Sequence, residues 1–221
     1  MMTIKNLIKL DFYAMKPLAK TMMAFLILPI ILGIVADKGM SIMVTLTFMV
    51  FMLNSVFSIT EQSNFNKLYG VLPIKKSLNI ISRYLFSLLV LICTAAISFL
   101  IFIALSIISN GSINWTNGIV YLTVSIVIAL FFISIQYPLY FKFEFSKANL
   151  MAILPYIVFF AIGVPLIQYL MKNVTFYTNV MKVINYFYEN TGMLVILGML
   201  ISVLLVCSSC LLSLKIQKKE F

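Results

Sequence analysis

Long apolar runs separated by short polar breaks make up nearly the whole chain. Residues 21–36, 39–60, 84–141, 148–171 and 190–214 carry no charged side chain. A membrane-crossing helix needs about 20 predominantly apolar residues. Four of the runs therefore suit one helix each, and 84–141 is long enough for two. Its break is the stretch Asn110 to Gly118, which is dense in turn formers. The run 21–36 is short, but Lys20 can extend its ammonium to the surface and Pro17 suits the first turn of a helix. The pattern predicts six transmembrane helices over 18–36, 39–60, 78–109, 118–141, 148–171 and 191–214 in one unit covering 1–221.

Three further stretches are amphipathic or aromatic. Residues 2–16 place Ile4, Leu7, Ile8, Phe12 and Met15 on one side of a helix, with Lys5, Lys9 and Asp11 elsewhere. That is the pattern of a helix lying in the membrane interface. In 63–73, Phe65, Leu68, Tyr69 and Leu72 recur at helical spacing before Pro73 ends the helix. The segment 172–191 is rich in aromatics (Phe176, Tyr177, Tyr186, Phe187, Tyr188) and is expected to form short helices dipping back into the bilayer.

Charge then sets the orientation. With both termini inside, only Lys38, Lys172 and Lys182 of the sixteen basic residues face outward, leaving thirteen inside. Cytoplasmic loops collect Lys and Arg, so the net charge of +10 is a topology signal rather than a nucleic-acid footprint. The helix at 63–73 is thereby expected on the cytoplasmic side. The N-terminus shows no small-residue cleavage site and is not expected to be a removed signal peptide.

Composition narrows the chemistry. The 221 residues are 63% hydrophobic and 10% charged, against roughly 25% charged in soluble domains, which leaves no room for a separate soluble domain. There is no histidine, and the six acids (Asp11, Asp37, Glu61, Glu144, Glu189, Glu220) fall outside the expected mid-membrane depth. Proton-coupled carriers rely on intramembrane carboxylates or histidines, and intramembrane metalloproteases on His/Glu clusters. No phosphate-binding Gly-rich loop is present either. Uphill transport would need a motor on another polypeptide. Cys93, Cys207 and Cys210 lie in apolar runs and read as small membrane-depth residues, without a disulfide framework or a metal set. The Asn-x-Ser/Thr matches at Asn110, Asn114 and Asn173 read as turn and interface residues.

The segment Glu61–Arg83 carries a resemblance. Phe65, then Leu72-Pro73-Ile74, Lys75-Lys76 and Arg83-Tyr84, resembles the cytoplasmic motif of compact ABC-2 type exporter permeases. Leu7–Tyr13, reading L-I-K-L-D-F-Y, adds to the likeness, which is greatest for permease subunits of Gram-positive exporters of phenol-soluble modulins and related antimicrobial peptides. The resemblance implies the ABC-2, or type V exporter, fold: an all-α polytopic bacterial membrane protein with an N-terminal interfacial helix and a coupling helix between helices two and three. It implies a non-catalytic subunit whose partner is an ATP-binding subunit, with ATP–Mg held there and no cofactor in this chain. Phe65, Asn66, Lys67, Leu68, Tyr69, Gly70, Leu72, Pro73, Lys75 and Lys76 would then dock in the ATPase groove. The residues alone suit equally a helix lying flat on the inner leaflet with its lysines on anionic lipid. Lys142, Glu144 and Lys147 form a candidate second cytoplasmic contact, or a plain inner turn.

Such permeases enclose their route with two six-helix units, so a second copy is implied, as a homodimer or a heterodimer. Asn54, Ser55 and Ser58 in the second span, and Pro155, Tyr156 and Gln168 in the fifth, are the candidate route residues, being polar or kink-forming groups better kept from lipid. The 14 Met and 19 Phe residues suit adaptable binding of amphipathic peptides, although they also serve ordinary packing. Self-protection against a bacteriocin, or drug efflux on the same fold, is an open alternative. A six-helix vitamin-importer component is disfavoured, because Ala14, Ala19 and Ala24 fall on different helix faces.

Overall fold

A computed structural model describes residues 4–62, 76–143 and 145–219, and every regular element among them is helical. Among the described residues, ten α-helices follow in order. They are α1 (Ile4–Met15), α2 (Ala19–Phe25), α3 (Ile27–Val35), α4 (Lys38–Gln62), α5 (Lys76–Asn110), α6 (Trp115–Lys142), α7 (Phe145–Ile157), α8 (Val164–Met171), α9 (Val174–Glu189) and α10 (Thr191–Lys219). Among the described residues, five stretches are long and apolar enough to cross a membrane: Lys38–Ile59, Ser77–Ser109, Trp115–Lys142, Lys147–Met171 and Thr191–Lys218.

The first expected span differs from a straight helix. Ile4–Leu18 and Met23–Val35 meet at 66°, and the second arm is broken at Leu26, whose N–H turns back to the Met23 carbonyl at 3.2 Å. Pro29 explains the break. It has no N–H for the Phe25 carbonyl, and its ring crowds that carbonyl. Residues 18–35 reach about 27 Å at ~1.5 Å per residue, just short of a hydrocarbon core of about 30 Å.

The fifth span is also interrupted. α7 passes into a π-helical segment, Val158–Gly163, and resumes as α8. Pro155 precedes the segment and Pro165 follows it, each removing a ladder donor. The segment expected as several short outer helices is one helix, α9, with no buried residue. Asn173 caps it, its Oδ1 accepting from the Thr175 N–H at 3.0 Å and the Phe176 N–H at 3.5 Å. Asn114 caps α6 in the same way, accepting from the Asn117 N–H at 3.2 Å.

α6 is central, packed by α4, α5, α7 and α10. On α4, Ile42, Leu46, Val50 and Leu53 form one buried stripe at helical spacing, and they join a core with Ala129, Phe132, Ile133 and Tyr137 of α6 and Ile80 and Phe86 of α5. Small residues set the approach of the helices. A Cβ on Gly118 would lie 2.7 Å from the Phe102 ring, and one on Gly39 would lie 2.1 Å from the Tyr121 ring. Buried hydroxyls on the helices bond to carbonyls one turn back, as Thr45 does to the Ser41 carbonyl at 2.6 Å and Ser87 to the Tyr84 carbonyl at 2.8 Å. The N- and C-terminal regions meet at one end of the bundle, where α1 packs on α5 and Tyr84 of α5 meets Ser213 of α10.

α1 corrects the expected interfacial helix in one respect. Its buried residues are Leu7, Asp11 and Met15, at i, i+4 and i+8, and they face α5 and α4. Phe12, assigned to the apolar face, is half exposed and touches Phe86 edge-on at 5.0 Å. Asp11, assigned to the polar side, lies inside the protein.

Candidate functional site

The polar positions of α4 converge on a cleft. Phe51, Asn54, Ser55, Ser58 and Ile59 recur at three- and four-residue spacing, so they share one face. They line an open cleft of about 440 Å³ together with Leu18, Gln136 of α6, and Asn149, Ala152 and Ile153 of α7. Among the described residues, no charged side chain lines it. Gln136 is fully buried, and its Nε2 donates to the Ala152 carbonyl at 3.2 Å. That bond fixes the amide so that Oε1 is left without a partner. Asn54 is 6% exposed, and its Oδ1 likewise has no hydrogen bond. The Asn149 Oδ1 is already taken by the Tyr140 hydroxyl at 3.3 Å. Tyr156, one turn beyond Ala152, stacks between Phe51 at 4.3 Å and Phe132 at 4.0 Å. Its hydroxyl is near Gln136 but makes no bond of hydrogen-bond geometry. A buried polar atom without a partner costs about 1–3 kcal/mol. The cleft therefore holds acceptors that a ligand can satisfy.

A second cluster ties the helices together where the termini meet. Arg83, two turns into α5, is buried with its guanidinium carbon 4.4 Å above the Phe57 ring of α4. Phe57 in turn stacks on Tyr140 at 4.7 Å and meets Tyr137 edge-on at 5.1 Å. Asp11 of α1 lies within electrostatic reach of Arg83: burial pushes its carboxyl above the usual aspartate range, and the Arg83 charge pulls it back in part. The Tyr84 hydroxyl, on the next residue, bonds Ser209 at 2.6 Å and Ser213 at 3.0 Å on α10. Ser209 also donates to the Ser134 carbonyl of α6 at 2.7 Å. The sequence places Arg83 among the inner loop charges and in the Arg83-Tyr84 motif, and Asp11 on the polar side of its helix and in the L-I-K-L-D-F-Y motif, with no sign that the two are buried together. The signal that finds Asp11 is its i+4 spacing from both Leu7 and Met15.

A family model described as ABC-2 family transporter protein matches residues 6–218, nearly the whole chain. The chain belongs to this family. Comparisons with curated proteins and with solved structures return no match. An ABC-2 chain is the membrane permease component of an ABC transporter, and family membership implies an ABC ATP-binding partner.

The other expected site residues of this ABC-2 permease are placed as follows. Phe65, Asn66, Lys67, Leu68, Tyr69, Gly70, Leu72, Pro73 and Lys75 of the coupling segment, and Glu144, lie outside the described residues. Lys76 is the first residue of α5. Lys142 and Lys147 are exposed at facing ends of α6 and α7, with the Lys142 ammonium 5.0 Å from the Phe143 ring centre. Of the route candidates, Asn54, Ser55 and Ser58 line the cleft, and Pro155 and Tyr156 lie beside it. Gln168 does not join them. It is exposed on α8, beyond the π-helical segment that separates α8 from α7. Gln136 and Asn149 were missed, although an amide within an uncharged apolar run is the same signal that singled out Asn54. A second groove of about 280 Å³, lined by Met23, Phe25, Pro29, Phe48, Met49 and Met52 among others, is almost wholly apolar.

Proposed function

We propose that this ABC-2 permease exports amphipathic cytolytic or antimicrobial peptides, of the phenol-soluble modulin kind, from the inner leaflet of a bacterial cell membrane. The observation that carries the reading is the cleft between α4 and α7, which sets amides and hydroxyls against Phe51, Ile59 and Ile153. A cargo with one apolar and one polar face is the chemical complement of such a wall. The positive-inside bias supports cytoplasmic termini, with the cleft near that side. Two permease copies and two ATP-binding subunits make up the machine. ATP binding draws the nucleotide subunits together, the coupling segment 63–73 moves with them, and the tilt passes directly into α4 and α5, which flank that segment. The π-helical break in the fifth span lets α7 follow α4 while α8 stays in place.

The test is the ATPase rate of the permease reconstituted with its ATP-binding subunit in lipid vesicles. Amphipathic helical peptides should raise that rate several-fold, and scrambled peptides of the same composition should not. Absence of stimulation by any amphipathic peptide sinks the cargo reading.

A further inference from the structure

Two buried acceptors without partners, in a cleft where no described residue brings a charge, give it a chemical preference. We infer that it recognises an uncharged, N–H-bearing segment of its cargo, a peptide backbone amide, and selects against charged groups. The inference rests on the peptide-export reading of the same site and names what the site grips.

Gln136 carries most of the argument. One N–H of its Nε2 bonds the Ala152 carbonyl and orients the amide, and Oε1, which can only accept, has no partner. Asn54 Oδ1 offers a second free acceptor from the facing helix. A ligand satisfying both must donate, and peptide N–H groups are donors that cost little to bury. Ammonium groups also donate, but none of Leu18, Phe51, Ile59, Ala152 or Ile153 offers a counter-charge, and among the described residues no carboxylate lines the cleft. Burying an unpaired charge there costs far more than burying an amide. The apolar walls take the flanking side chains, and the stacked rings of Phe51 and Tyr156 give one rigid side. A lysine-rich face of the cargo must therefore point out of the cleft's mouth, toward water or headgroups.

The test uses the full-length permease in lipid nanodiscs, without its ATPase. The probe is a radiolabelled leucine peptide, capped at both ends and so neutral. Its comparison ligand is the ester analogue, in which oxygen replaces each N–H at nearly the same size and hydrophobicity. Binding to empty nanodiscs is subtracted. The amide should bind about tenfold more tightly than the ester, the scale set by a buried acceptor gained or left unfilled. Gln136→Met and Asn54→Leu should each shrink that ratio toward one while keeping ester binding, which also shows that the variants fold. A lysine or glutamate placed mid-peptide should weaken binding to the wild-type chain. Lack of saturable binding, an amide-to-ester ratio near one in the wild type, a ratio untouched in both variants, or equal binding of the charged peptides would overturn the inference. Because no ATPase is present, these outcomes do not depend on ATP-driven export: transport can succeed while the amide preference fails, and the reverse.

Discussion

Single residues fix how closely the helices approach. Gly39 has no room for a side chain unless Tyr121 shifts, because its Cβ would lie 2.1 Å from that ring, whereas Gly192 has open space. Gly39→Ala should destabilise the chain by about 1–3 kcal/mol, since overpacking outweighs the smaller gain in helix propensity. Gly192→Ala should be neutral or slightly stabilising. Thermal unfolding of the detergent-solubilised protein checks both, and the opposite signs separate a packing effect from a general glycine effect. Tyr84→Phe keeps the ring and removes the bonds to Ser209 and Ser213. Membrane-buried hydrogen bonds average about 0.6 kcal/mol in double-mutant cycles, so the midpoint should fall modestly. Ser209→Ala combined with Tyr84→Phe should cost less than the two added together.

Helices were the most legible level of the sequence, and their irregularities the least. The runs 39–60, 84–109, 118–141 and 190–214 are helices because only internally bonded backbone survives in lipid, and uncharged length alone reveals them. Pro29, Pro155 and Pro165 were equally visible, yet a proline marks only a missing donor. Whether the chain kinks, breaks or widens into a π turn depends on what packs beside it. Asn54, Ser55 and Ser58 were legible as polar groups inside a span. Gln136 carries the same signal, but that it faces them across the cleft shows only when α6 is set against α4. The burial of Asp11 was hidden for a similar reason: a charged residue on an amphipathic helix reads as solvent-facing until a buried arginine appears opposite.

That pair gives a prediction for the elements. α1, α4 and α5 meet at Asp11, Phe57 and Arg83, the last two on α4 and α5, the helices that precede and follow residues 63–75 in the chain. Asp11→Lys or Arg83→Glu places like charges together in a buried site and should cost about 3–5 kcal/mol, releasing α1 from the bundle. The exchange Asp11→Arg with Arg83→Asp should recover part of the loss, the contact with Phe57 remaining absent. Protease accessibility of residues 4–15 together with the unfolding midpoint measures this. Equal effects of the single and exchanged variants would remove the pair from the account.

Across the whole molecule, family membership implies that the motor is a partner subunit. The chain carries no histidine and no phosphate-binding loop, and it belongs to a family of membrane components of ABC transporters. The fifth and sixth spans leave broad apolar faces exposed, including Leu150, Leu154, Ile162, Leu200 and Leu204, which lipid or a second copy can cover. The central claim is that an ATP-binding subunit drives these helices through residues 63–75. Its most direct test is co-purification of the permease with that subunit from membranes. The wild-type chain should recover the ATPase in a stable complex, and Lys67→Glu combined with Tyr69→Ala should reduce recovery by about tenfold, the scale of losing one docking anchor of 1.4 kcal/mol or more. Undiminished recovery with the double substitution, in a variant that unfolds at the wild-type temperature, would contradict the claim.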